Sequence, residues 1–180
     1  PVFYAAETYF LKAEAALQGW IAGGTAAAKS YYEQGIQISM NQYGVEIGDY
    51  LSSTVVPQGY TDRLNSKNNI SFTSVPSVAW GDGTNKLQKI ITQKWIANYP
   101  MGIEAWCDYR RTGYPELFTA RDNLSSAGYI GDIDSKRMVR RLPYPTTEKS
   151  SNSANVEAAI ATMLGGPDTG ATDLWWAKKN

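Results

Sequence analysis

From residue 2 to about residue 20 the apolar positions recur three and four apart, at Phe3, Ala6, Phe10, Ala13 and Leu17. That spacing follows the period of an α-helix and puts one apolar stripe on one side of it. Gly23 and Gly24 break the pattern, and Thr25 is placed to cap a second helix. Ala28, Tyr32, Gly35, Ile36 and Ser39 share a face of that helix, so residues 2–43 read as a pair of helices folded into a hairpin.

Ala28, Tyr32 and Gly35 also follow the small-aromatic-small spacing of the second helix of a tetratricopeptide repeat. Small residues there let two helices approach, while the ring fills the groove between them. A third short helix is expected over 46–52, before Pro57. Residues 55–85 change character, being rich in Ser, Thr, Asn, Gly and Pro, and read as a loop-rich insert with an extended piece at 70–75. A loop of that length is commonly functional.

The helical period returns over 85–112. Leu87, Ile90, Ile91, Trp95 and Tyr99 share a face up to Pro100, and Ile103, Trp106, Cys107 and Arg110 continue on another helix until Gly113. The region 113–180 is again loop-rich. Within it 118–135 lacks a period, and 140–145 reads as extended because each proline biases its predecessor away from helix. A last helix is expected over 156–164, ended by Gly165-Gly166-Pro167. The fold class is therefore mainly α: tetratricopeptide-like helix pairs with long irregular loops.

Charge narrows the function. The 17 basic and 17 acidic residues cancel and are interspersed, so the chain has no electrostatic footprint for nucleic acid. The arginines at 110–111 and 137–141 read as structural, paired with carboxylates or helix ends. Histidine is absent, which removes the commonest metal ligand and the usual general base near neutral pH. Cys107 is the one cysteine and reads as a buried, inert thiol. No cofactor, metal site or enzymatic activity is expected, and no segment is apolar enough to span a membrane. The chain opens inside a helical pattern without an initiator Met, which reads as an excised part of a longer protein with its targeting segment upstream.

Carboxylate pairs could in principle hydrolyse glycosides. Glu7 and Glu14 lie seven apart, and Glu104 and Asp108 four apart, with Arg110 and Arg111 near enough to neutralise them. Both pairs read as structural. Asp132-Ile-Asp134 begins like a calcium loop but lacks the glycine and terminal glutamate in register. Asn69-Ile-Ser71 and Asn123-Leu-Ser125 match a glycosylation acceptor pattern, relevant only to a eukaryotic secretory route.

Aromatic residues are abundant, with 12 Tyr and 6 Trp. Sugar rings dock C–H faces on Trp and Tyr planes, and their hydroxyls need polar neighbours. The candidates are therefore loop-borne: Trp80 with Asp82 and Asn85, then Tyr60 beside Asp62 and Arg63. For Trp80 the competing reading, a ring tucked against the domain, stays open. Trp20, Trp95 and Trp106 fall on apolar helical stripes and read as core.

Four ordered blocks carry a resemblance. They are Ala5–Ala16 (AAETYFLKAEAA), Tyr32–Ser39, Ile91–Pro115 and Arg140–Asn155, closed by Leu174-Trp175-Trp176. Together they resemble the SusD/RagB family of outer-membrane nutrient-binding lipoproteins of Bacteroidetes, although an Asp often found after the last block is Ala177 here. The resemblance implies the C-terminal portion of a larger SusD-like helical protein, lipid-anchored at the cell surface. It further implies that the protein binds an oligosaccharide or polysaccharide and delivers it to a TonB-dependent SusC-like transporter. The matching motifs are scaffold motifs, so the resemblance assigns no ligand residue. A helical protein-interaction scaffold without glycan binding is the alternative.

Overall fold

The computed structural model describes residues 3–81, 83–118, 133 and 137–177. The chain divides into two compact units, Pro1–Glu116 and Leu117–Asn180. The described residues form α-helices and short helical turns, with an isolated antiparallel bridge between Tyr60 and Ile70. The mainly α expectation agrees with this.

In the first unit, α1 (Ala5–Leu17) and α2 (Gly24–Gln42) form the expected hairpin. Ala6, Phe10, Ala13 and Ala16 of α1 are buried in one cluster with Ala28, Tyr32 and Ile36 of α2. Each large apolar side chain fully buried in this way contributes about 1.5–3 kcal/mol. The close crossing depends on Gly35, where an added Cβ would lie 2.9 Å from the Phe10 ring. Phe10 in turn meets Tyr32 edge-on, with centroids 6.4 Å apart. The small-aromatic-small spacing thus does what it implies: it lets the backbones approach and fills the remaining groove with a ring.

Two details at the helix ends differ from expectation. Phe3 precedes α1 and is exposed, so the apolar stripe begins at Ala6. Thr25 does not cap α2, because Gly23, at φ 106°, lets the helix begin at Gly24 and leaves Thr25 inside its first turn.

Between α2 and the next helix only a 3-10 turn, Tyr50–Ser52, forms where a short helix was expected over 46–52. Then α3 (Lys86–Ala97) and α4 (Gly102–Thr112) follow. Asn85 caps α3, its Oδ1 accepting the N–H groups of Leu87 and Gln88 at 2.9 and 3.3 Å. Gly113, at φ 80°, ends α4 as its position suggested. The buried side of α3 is half polar: Ile90, Ile91 and Ala97 share it with Gln88, Lys89, Gln93 and Lys94.

The second unit contains α5 (Thr146–Ser151) and α6 (Ser153–Ala159), the latter continuing through a π-helical turn, Ile160–Leu164. The expected helix over 156–164 is therefore the end of a longer helical stretch broken at Asn152. Most of the 118–135 stretch, with Asp132, Asp134 and the Asn123-Leu-Ser125 sequence, lies outside the described residues. Among the described residues no helix is long and apolar enough to cross a membrane.

Candidate functional site

The loop that joins the two halves of the first unit is ordered by side-chain to backbone hydrogen bonds rather than by strands. Its C-terminal half is built into the bundle. The Lys89 ammonium donates to the Ser77 carbonyl at 2.6 Å, and the Tyr32 hydroxyl donates to the Val78 carbonyl at 2.8 Å. The Ala79 N–H reaches back to the Ser53 carbonyl at 2.9 Å, closing the loop at its base.

The projecting half is organised on itself. Tyr60 and Ile70 exchange N–H to carbonyl bonds at 2.8 and 2.9 Å. The enclosed turn centres on Asp62, whose carboxylate accepts the Leu64 and Asn65 N–H groups and the Asn68 side-chain amide. The Asn68 amide, then the two backbone donors, hold the Asp62 pKa below the usual carboxylate value. The Asp62 N–H donates to Asn69 Oδ1 at 2.8 Å. Gly59 makes the approach possible, because a Cβ there would come within 2.3 Å of the Ile70 carbonyl oxygen. Polar residues that looked like signs of a loose loop are the ones that fix it.

The four candidate ligand residues part company in this framework. Tyr60 keeps an exposed ring, 48% accessible, on the projecting half. Trp80 is only 8% exposed and belongs to the core, in line with the reading of a ring tucked against the domain. Its ring packs 5.1 Å from Tyr32, and the Lys86 ammonium lies 5.4 Å from its centroid. Burial in the core leaves little of the ring open to solvent. Asn85 is spent on capping α3, and its Nδ2 donates to the Tyr114 hydroxyl at 3.2 Å. Asp82 lies outside the described residues.

The acids are locked in an ionic network joining α1, α3 and α4. The Lys94 ammonium lies 3.1 Å from Glu7 Oε1 and 2.7 Å from Asp108 Oδ2. The Arg111 guanidinium spans Glu14 Oε2 and Asp108 Oδ1, both at 2.9 Å. The Glu14 hydrogen bond, opposed by burial and reinforced by Asp108, raises the Arg111 pKa further above its already high value. Glu7, Glu14, Asp108 and Lys94 are all buried. The pair Glu104 and Asp108 does not converge, since Glu104 faces solvent. Of the two arginines expected to serve Asp108, Arg111 does so, while Arg110 lies with its guanidinium 4.2 Å from the Trp106 ring centroid.

The network also reverses part of the expected core. Because Lys94 and Gln93 are turned inward, Trp95 and Tyr99 are turned out, with Trp95 40% exposed. Trp20 is 73% exposed because α1 has already ended at Leu17. Trp106 is half-buried and Cys107 is exposed, so neither sits in the core as expected. Trp20, Trp95 and Tyr99 are thus exposed rings that the sequence reading passed over. Gly19, just before Trp20, was the signal that the first stripe had stopped.

In the second unit the arginine cluster is structural. The Arg140 Nε donates to Asp173 at 2.8 Å, and Arg137 reaches the same carboxylate. Asp168 receives Arg141, Lys149 at 2.7 Å and the Tyr144 N–H at 3.1 Å. Burial pushes the pKa values of Asp168 and Asp173 up, but these donors outweigh it and hold both below the usual range. The Arg140 N–H bonds the Gly170 carbonyl at 2.7 Å, which pins the extended 140–144 segment.

A model of the SusD-like family, described as SusD and RagB outer membrane lipoproteins, matches residues 2–177. No curated protein matches. Among solved structures, a chitin-binding SusD homologue from Flavobacterium johnsoniae is 45% identical, with a TM-score of 0.82 over 98% of this chain and 36% of its own. A SusD homologue from Bacteroides uniformis is 44% identical at a TM-score of 0.82, over 97% of this chain and 36% of its own. A SusD-like protein from Bacteroides thetaiotaomicron is 42% identical at a TM-score of 0.84, over 100% of this chain and 37% of its own. The chain therefore spans little more than a third of the length of these relatives. With the family model covering nearly all of it and solved relatives sharing its helical fold, the chain belongs to the SusD/RagB family.

Proposed function

We propose that this chain is part of a cell-surface protein that captures oligosaccharide or polysaccharide and hands it to a TonB-dependent SusC-like transporter in the outer membrane. The observation that carries this reading is the 45% identity, over 98% of the chain, to a homologue whose described ligand is chitin. The geometry supports capture rather than cleavage. The buried carboxylates are held in ion pairs between helices, while an exposed tyrosine stands on a loop stiffened by its own hydrogen bonds. A sugar C–H face laid on such a ring gains about 25 cal/mol for each Å² of apolar surface it buries, a modest contact. Several weak contacts of that size give a hold loose enough for cargo to be released. A lipid on a segment outside this chain would keep the protein at the membrane surface.

The second reading, a helical scaffold that binds only protein, is favoured by the burial of Trp80 and the capping role of Asn85. Both side chains are engaged within the protein. Affinity electrophoresis of the full-length protein separates the two readings, using native gels containing a soluble chitin derivative and a panel of other polysaccharides. Retardation in at least one gel is expected. Uniform migration across the panel would select the scaffold.

A further inference from the structure

The projecting half of the loop joins its built-in half at Thr73 and Ser74, and both residues are exposed to solvent. They are gripped there by one carboxylate. Glu116, in the turn beyond α4, accepts the Thr73 and Ser74 N–H groups at 2.8 and 2.9 Å and their two hydroxyls at 3.0 and 3.4 Å. The Ser74 carbonyl is taken at 2.7 Å by the side-chain amide of Gln88 on α3. Burial pushes the Glu116 pKa up, but the donors from Thr73 and Ser74 prevail and hold it below its usual value. An ionised carboxylate is purely an acceptor, with room for all four bonds, and bonds to it are roughly twice as strong as neutral ones. The loop therefore rises from two posts, the Ala79–Ser53 bond on one side and the Glu116 grip on the other.

We infer that Glu116 is a positioning residue for residues 54–72, fixing the direction in which the Tyr60 ring is presented to a glycan. The inference rests on the proposed function only for what the presented ring is used for. Nothing in the run Gly113-Tyr114-Pro115-Glu116 marks this residue out, because its partners lie 42 and 43 positions away.

The test compares the full-length protein with Glu116→Gln, Tyr60→Ala and the double variant. Glutamine keeps the shape but replaces one acceptor oxygen with a donor, which faces one of the two N–H groups that Glu116 now accepts. In hydrogen–deuterium exchange, amides of 54–74 should exchange at least about fivefold faster in Glu116→Gln, while α1 and α2 keep their protection. In affinity electrophoresis through the polysaccharide that retards the wild type most, Glu116→Gln should weaken retention about threefold or more. The double variant should be no weaker than Tyr60→Ala alone, because the two residues act on one contact. Unchanged exchange in Glu116→Gln overturns the grip. Faster exchange with wild-type retention, or fully additive losses in the double variant, overturns the positioning role. A wild type retarded by no glycan overturns the proposed function instead, and leaves the exchange comparison to decide the grip by itself.

Discussion

At the scale of single residues, Trp80 and Tyr60 are both loop aromatics with opposite fates. Trp80→Ala removes a buried ring that packs on Tyr32 and Lys86 and should cost about 3–5 kcal/mol of stability, read as a lower urea midpoint. Tyr60→Ala should leave that midpoint nearly unchanged while weakening glycan retention. Lys94 is a sharper case. Replacing it with Met strands Glu7 and Asp108 as buried charges short of their shared cation, and should cost about 3–5 kcal/mol. A loss under about 1 kcal/mol would mean that water reaches these carboxylates. This network is why the inward face of α3 was misread from its pattern. Hydrophobic periodicity counts Lys94 as a surface residue and Trp95 as core, and no local signal tells it that two carboxylates wait on other helices.

At the scale of elements, the helices were legible and their ends partly so. The α1–α2 hairpin, Pro100, and Gly113 at the end of α4 follow from rules acting within a few residues, and the structure agrees with them. Asn85 stands directly before α3, where a cap belongs, and its bonds to Leu87 and Gln88 are those of a cap. Asn85→Ala should therefore destabilise the protein by about 1 kcal/mol, with the loss of helical signal confined to the start of α3. An equal loss of glycan retention without any change in stability would contradict the capping assignment. The loop was far less legible. Its order comes from Asp62, Asn68, Asn69 and Glu116 bonding backbone groups, and residues of this type look the same in sequence whether or not they find such partners.

At the scale of the whole molecule, four carboxylates are set to fail together in acid. Asp62, Glu116, Asp168 and Asp173 all have folded pKa values below the usual ones. The stabilisation they provide is complete above the unfolded values, about 4. It is lost as pH falls through the lower folded values, because the unfolded chain then binds protons that the folded one resists. Urea midpoints should hold steady from about pH 7 to pH 5 and fall progressively below about pH 4. A flat profile down to pH 3 would show that these carboxylates lose nothing on unfolding.

Anchoring Val78 and Trp80 in the bundle has a consequence for how ligand choice can change. The stretch between Ser53 and Thr73 behaves as a cassette clipped in at both ends, with its fastenings outside the exchanged sequence. Doubling its length would add only about 0.6 kcal/mol of closure entropy. Under the proposed function, a new specificity would be installed by swapping the insert, with the helices beneath unchanged.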